Sequence, residues 1–146
     1  MELKPYKHNV KYYETDQMAV VHHSNYIRWF EEARIDWLEQ AGMPYEGMEE
    51  RGIIIPVLSV DARYRTMTRF GETVLVCPKV EVYDGLRMEL SYRVVNADTG
   101  ELRCTGRSGH CFLNRDYRPI SLKRKAPDYH AILLDVLAYC SKEGEA

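Results

Sequence analysis

Ser24-Asn25-Tyr26-Ile27-Arg28-Trp29-Phe30-Glu31-Glu32-Ala33-Arg34-Ile35-Asp36-Trp37-Leu38-Glu39-Gln40-Ala41 is the stretch on which the fold turns. Tyr26, Phe30, Ala33, Trp37 and Ala41 recur at spacings of four and three, which puts them on one face of a helix. Arg28, Glu32, Asp36 and Glu39 take the opposite side. Ile27, Trp29, Ile35 and Leu38 widen the apolar surface past a single stripe, so this helix needs cover on most sides. Ser24 is placed to act as its N-cap, the hydroxyl accepting from an amide of the first turn. Gly42, with Pro44 behind it, is the expected stop.

On the N-terminal side, residues 6–14 (YKHNVKYYE) read as a strand rich in aromatic and β-branched residues. On the C-terminal side, a linker holding Gly47 and Gly52 leads into a pattern of period two. Leu58, Val60, Ala62 and Tyr64 alternate with polar residues, and Val74, Val76, Val80 and Val82 share one parity in the next run. Pro78 inside that run marks an edge or a bulge. Asp84-Gly85 is a hairpin signal, beyond which Leu86, Met88, Leu90, Tyr92 and Val94 alternate again. A turn over 96–100 precedes a last strand at about 102–113, and 129–139 forms an amphipathic helix over Ile132, Leu133, Val136 and Leu137. Short turns make the four later strands antiparallel neighbours. One wide-faced helix and one antiparallel sheet satisfy each other if the sheet curls around the helix, an α+β domain of two layers.

The length of 146 residues fits one domain spanning 1–146, with 45% hydrophobic residues to fill its core. A net charge of −2 argues against a broadly positive nucleic-acid face. The first residues hold no apolar segment of the signal-peptide kind, and no apolar run reaches the about 18 residues of a membrane span. Cys77, Cys104, Cys111 and Cys140 are widely spaced without a CxxC pair, so they read as reduced thiols. The expected compartment is the cytoplasm. No HxxxH, HExxH or CxxC spacing suggests a metal, and no phosphate-binding or dinucleotide fingerprint is present.

The chemistry sits in the loop before the long helix, Thr15-Asp16-Gln17-Met18-Ala19-Val20-Val21-His22-His23. Unpaired amides at a helix start suit an oxyanion, and a nearby carboxylate can attack or activate water. Taken alone, Asp, His and Asn before a helix also describe ordinary capping. His110, on the parity of Leu102 and Phe112, reads as a satisfied buried histidine rather than a ligand. Arg63, Arg65, Arg69 and the run Lys123 to Lys125 could meet phosphates, although exposed basic residues are commonly solubilising.

Tyr12-Tyr13-Glu14-Thr15-Asp16, then Val20-Val21-His22-His23-Ser24-Asn25-Tyr26, then Phe30-Glu31-Glu32-Ala33-Arg34 together resemble the 4-hydroxybenzoyl-CoA thioesterase branch of the hotdog superfamily. Arg69-Phe70-Gly71-Glu72-Thr73 is similar to that family's turn into the third strand, and the likeness covers about residues 6–125. The resemblance implies a hotdog fold, β-α-β-β-β-β with a C-terminal helix, and hydrolysis of an acyl-CoA thioester without a cofactor. It puts the catalytic carboxylate at Asp16 and the oxyanion amide, with the histidine of this branch, at His23. Tyr26, Thr66, Thr68 and Arg69 would meet substrate, with the segment 66–69 reaching Asp16 from another subunit of a homodimer or homotetramer. Glu31 and Glu32 are second candidates for the carboxylate. Met18-Ala19 stands where the family carries a glycine-containing pair, which implies a differently shaped loop or a narrower acyl pocket. Two rival readings are a hotdog enoyl-CoA hydratase, whose Asn-Pro motif is missing here, and a module that binds acyl-CoA without turning it over.

Overall fold

The computed structural model describes the backbone of residues 1–145 and the side chains of 1–142. Five strands form one antiparallel sheet: β1 (Tyr6–Asn9), β2 (Val57–Tyr64), β3 (Thr73–Tyr83), β4 (Arg87–Asn96) and β5 (Leu102–Cys111). The sheet curves around α1 (Ser24–Gln40), and α2 (Tyr45–Glu50), α3 (Leu122–Lys125) and α4 (Pro127–Glu145) complete the chain. The strand order is β1-β3-β4-β5-β2.

The helix occupies the residues that its periodicity assigns to it. Tyr26, Trp29, Phe30, Ala33, Trp37 and Leu38 are all buried, while Ile27 and Ile35 remain 38% and 37% exposed. Phe30 stacks on Tyr92 of β4, ring centroids 4.5 Å apart, an aromatic pair of the kind that contributes about 1 kcal/mol beyond area burial. This contact depends on Gly106 of β5. A Cβ there would lie 2.4 Å from Phe30 and 2.6 Å from the carbonyl oxygen of Asp61, so only a glycine lets the helix approach the sheet so closely. At the far end of α1, Gly42 turns left-handed at φ +102°, and the amides of Gly42 and Met43 close on the carbonyls of Glu39 and Leu38.

Four local expectations are corrected. The strand expected over 6–14 stops at Asn9, and Tyr12–Glu14 form a 3₁₀ turn. The carboxylate of Glu14 folds back to accept the amide of Lys11 at 2.7 Å, and Tyr12 and Tyr13 are left 76% and 81% exposed. The linker holding Gly47 and Gly52 contains the short helix α2. The loop after Tyr83 is longer than two residues: Tyr83 pairs with Met88, and Asp84 accepts the amides of Leu86 and Arg87. Finally, β2 lies next to β5 and not next to β3. The 65–72 connection is no hairpin, because it is bonded elsewhere, with the Arg65 amide on Arg103 and the Thr68 carbonyl on Val21.

Pro78 sits where its missing N–H does no harm. β1 pairs only with residues 73–76 of β3, so Pro78 lies past its end. Val80, two residues on and pointing the same way, donates its amide to Cys140 Sγ of α4. A bulge between Val80 and Val82 then breaks the parity, leaving Val82 43% exposed while Val74, Val76 and Val80 are buried. At the opposite edge, β2 carries Val57, Leu58, Val60 and Tyr64, each between 41% and 52% exposed.

Candidate active site

The loop carrying Asp16 is a miniature hairpin. Thr15 bridges to Val21, the Asp16 amide donates to Val20 at 2.8 Å, and the Ala19 amide donates to the Asp16 carbonyl at 3.0 Å. This is a tight turn followed by a left-handed residue, a position that favours glycine. Ala19 fills it at φ +63°. The sequence's departure from glycine thus falls on a left-handed, strained backbone position. The Asp16 carboxylate is partly exposed and, among the described residues, accepts one hydrogen bond, from the Met18 amide at 2.8 Å.

The start of α1 differs from expectation. Ser24 is the first helical residue and not the cap. The Ser24 amide donates to Nδ1 of His22 at 3.2 Å, and the Ser24 hydroxyl lies 2.8 Å from the same nitrogen. Because that nitrogen accepts, the neutral His22 ring carries its proton on Nε2. His23 stacks on His22, centroids 4.1 Å apart, and its carbonyl accepts the Tyr64 hydroxyl at 3.2 Å. Among the described residues the His23 amide has no hydrogen-bond partner. Asp16 and an open amide at the helix start thus flank the same short loop.

Tyr26 and Thr68 are turned inward. The Tyr26 hydroxyl donates to Thr68 Oγ1 at 3.0 Å, and the two residues are 3% and 0% exposed. Burial raises the Tyr26 pKa, with the Thr68 hydrogen bond working the other way. In the single chain these hydroxyls brace the loop, since Val21 also donates to the Thr68 carbonyl at 2.8 Å. Arg69 bridges to Val20 with its side chain exposed, so residues 68–69 lie against the Asp16 loop of their own chain. Thr66 is exposed, and its hydroxyl donates toward Glu101 and the Leu102 carbonyl. Arg103, 8% exposed, fixes this segment through an ion pair to Glu72 at 2.9 Å and a hydrogen bond to the Met67 carbonyl. Glu32 accepts the Tyr6 hydroxyl at 2.8 Å, and Glu31 is exposed.

Sequence reasoning missed Glu14. Its carboxylate is buried and accepts from Trp29 Nε1 at 2.7 Å and from the Lys11 amide, and it lies 2.8 Å from His8 Nε2. Its carbonyl accepts the His22 amide at 2.8 Å and the Asn25 side chain at 2.9 Å. Burial alone would raise the Glu14 pKa, but the hydrogen bonds from His8, Lys11 and Trp29 outweigh it and hold the pKa below the ordinary value. Beside Asp16 in sequence, Glu14 reads as one more surface acid, and only the fold reveals it as the anchor of the loop.

Against this geometry, the family model of the thioesterase-like superfamily matches residues 10–132. The chain belongs to the thioesterase-like superfamily. Its fold is the hotdog, and its activity class is that of the family, thioester hydrolysis. A crystal structure of the DHNA-CoA thioesterase from Staphylococcus aureus superposes with a TM-score of 0.90 at 36% identity, covering 99% of this chain and 96% of that one. YneP of Bacillus subtilis (strain 168), which carries the provisional name acyl-CoA thioesterase, is 34% identical over 83% of this chain and 88% of its own length. The 1,4-dihydroxy-2-naphthoyl-CoA hydrolase of Thermosynechococcus vestitus (strain NIES-2133 / IAM M-273 / BP-1) is 26% identical over 80% of each chain. No described helix is long and apolar enough to cross a membrane.

Proposed function

We propose that this hotdog enzyme hydrolyses an acyl-CoA thioester, with Asp16 as the reacting carboxylate and the His23 amide as the oxyanion donor. The observation that carries this reading is that one short loop carries a partly exposed, lightly engaged carboxylate and an amide at the start of α1 that has no partner among the described residues. Asp16 either attacks the thioester carbonyl, forming a mixed anhydride that water then opens, or takes a proton from a water that attacks directly. In both routes negative charge gathers on the carbonyl oxygen, where a helix-start amide and the helix dipole favour it. The C–S bond then breaks and coenzyme A leaves as a thiolate that takes up a proton. Water is the only co-reactant, so the reaction calls for no metal or organic cofactor. The names of the relatives support coenzyme A as the leaving group, and four free thiols among the described residues fit a cytoplasmic setting.

The working unit in this reading is a homodimer, or a dimer of dimers. β2 is an edge strand with half-exposed Leu58, Val60 and Tyr64, and Tyr64 donates to His23 at the helix start. Such an edge asks for a covering chain, and a two-fold copy of itself is self-complementary. A partner seated there would close the Asp16 site from one side. Light scattering coupled to size exclusion should give a multiple of 17.1 kDa. A fully active monomer at micromolar concentration would exclude a shared site.

A panel of acyl-CoAs, followed by free thiol release and by enoyl absorbance, tests the activity. Thiol release at steady turnover is the expected result. An absorbance change without thiol would indicate a hydratase, and neither signal would indicate a binding module.

A further inference from the structure

A cavity of about 600 Å³ opens beside the middle of α1, between that helix, α2 and the 113–117 loop, and the reaction proposed above makes no use of it. Its floor is apolar, formed by the buried Leu38, Met48 and Ile53. One charged group stands in that floor. Arg34 is 8% exposed, and its Nη1 donates to the Tyr92 hydroxyl at 3.2 Å. Among the described residues no carboxylate lies within ion-pair distance of it, and its other N–H groups have no partner. Arg34's remaining donors are not sealed off from solvent, and a guanidinium's planar fork matches a carboxylate in two-point contact.

The hydrogen bonds behind Arg34 show that the protein does not neutralise it. Tyr92 meets Ser108 Oγ at 2.6 Å, Ser108 meets His110 Nε2 at 2.7 Å, and His110 Nδ1 lies 3.0 Å from the carbonyl of Pro56. A carbonyl can only accept, so neutral His110 donates from Nδ1 and accepts at Nε2. The chain of protons therefore runs one way, from Arg34 through Tyr92, Ser108 and His110 to Pro56. Every member is uncharged except Arg34. Burial first, and then the Arg34 charge, push the His110 pKa down to about 4. The exposed Glu31 and Glu49 line the cavity too, but among the described residues neither comes within ion-pair distance of Arg34. Arg115 closes α2 by donating to the carbonyls of Glu49 and Glu50.

Along α1, Arg34 lies eleven residues past His23, or about 16 Å at the rise of an α-helix. The cavity is therefore apart from the Asp16 end of its own chain, and its volume falls within the range of small-molecule sites. We propose that it binds a small organic acid, with an apolar, ring-sized body against Leu38, Met48 and Ile53 and one anionic oxygen group on Arg34.

The probe is 2-naphthoate, titrated into the whole protein by calorimetry beside its neutral isostere 2-naphthamide. Saturable binding of the acid at least tenfold tighter than the amide is expected. Arg34→Met should abolish that preference. Ile35→Trp, a change at a half-exposed wall residue, should weaken both ligands by at least tenfold through occupied space. Should Arg34→Met fail to fold, the wild-type protein still decides: an anion on Arg34 should raise the His110 titration point seen by NMR. No saturable binding, equal affinity for the amide, unchanged affinity in Ile35→Trp, or a fixed His110 titration point would each overturn the proposal.

Discussion

Glu14 and Asp16 are two residues apart in one loop, and the fold treats them in opposite ways. Glu14 is 5% exposed, its oxygens are satisfied by β1, by the Lys11 amide and by α1, and its carbonyl holds His22 and Asn25. Asp16 stays partly in solvent with one amide on its carboxylate. The first acid holds the loop in place, and the second has capacity left for a substrate or a water. What separates the anchoring carboxylate from the one proposed to react is how many of its lone pairs the protein has already claimed.

The largest stability effect should come from Glu14. Glu14→Ala leaves Trp29 Nε1, the Lys11 amide and His8 without their buried acceptor, and should cost about 3–5 kcal/mol. Asp16→Asn should stay within about 0.5 kcal/mol of the wild type. Urea unfolding of both variants tests the contrast, which breaks if the two lose equal stability.

Acid should expose a second difference between buried and open groups. His110 is 1% exposed with its pKa lowered to about 4, mainly by burial. The unfolded chain takes up that proton near pH 6.5 and the native chain does not, so stability should fall by about 3 kcal/mol as pH drops from 6.5 to 4. Glu14, held below its ordinary value, adds a loss that starts under its unfolded pKa and is complete once pH falls through the folded one. Unfolding curves across pH 4–7 should show the slope, and His110→Phe should flatten its upper part. A slope unchanged by that variant would remove His110 as the cause.

Smaller effects sharpen the reading of the loop itself. If His23 acts through its amide, His23→Ala keeps the donor and should lower kcat by no more than about tenfold. A loss as large as that of Asp16→Asn would give the imidazole the role instead. Ala19→Gly should relieve the left-handed backbone but add freedom to the unfolded chain, for a net gain of about 0.5 kcal/mol. Thermal unfolding reads this directly, and a clear loss of stability would show that Ala19 is not strained.

The sequence carried what short-range patterns can carry. Spacings of three and four located α1, alternation located β2, β3 and β4, the turn over 96–100 placed β5 after it, and parity identified His110 as a buried, satisfied histidine. Long-range pairing stayed out of sight. Nothing local says that β2 crosses to β5, because the partners of the 65–72 connection are Arg103 and Val21. Glu14 was equally hidden, since His8 and Trp29 stand 6 and 15 residues away from it. Arg34 appeared only as part of a motif, and its missing counter-ion is a property of the cavity.

In the proposed mechanism the open carboxylate, Asp16, performs the chemistry. The most direct test is kcat for free thiol release by Asp16→Asn, on the best substrate of the acyl-CoA panel, with folding checked by its unfolding curve. A fall of about a hundredfold to ten-thousandfold is expected, in a protein that is as stable as the wild type. A folded variant keeping more than about a third of wild-type kcat would contradict it and move attention to Glu31 and Glu32.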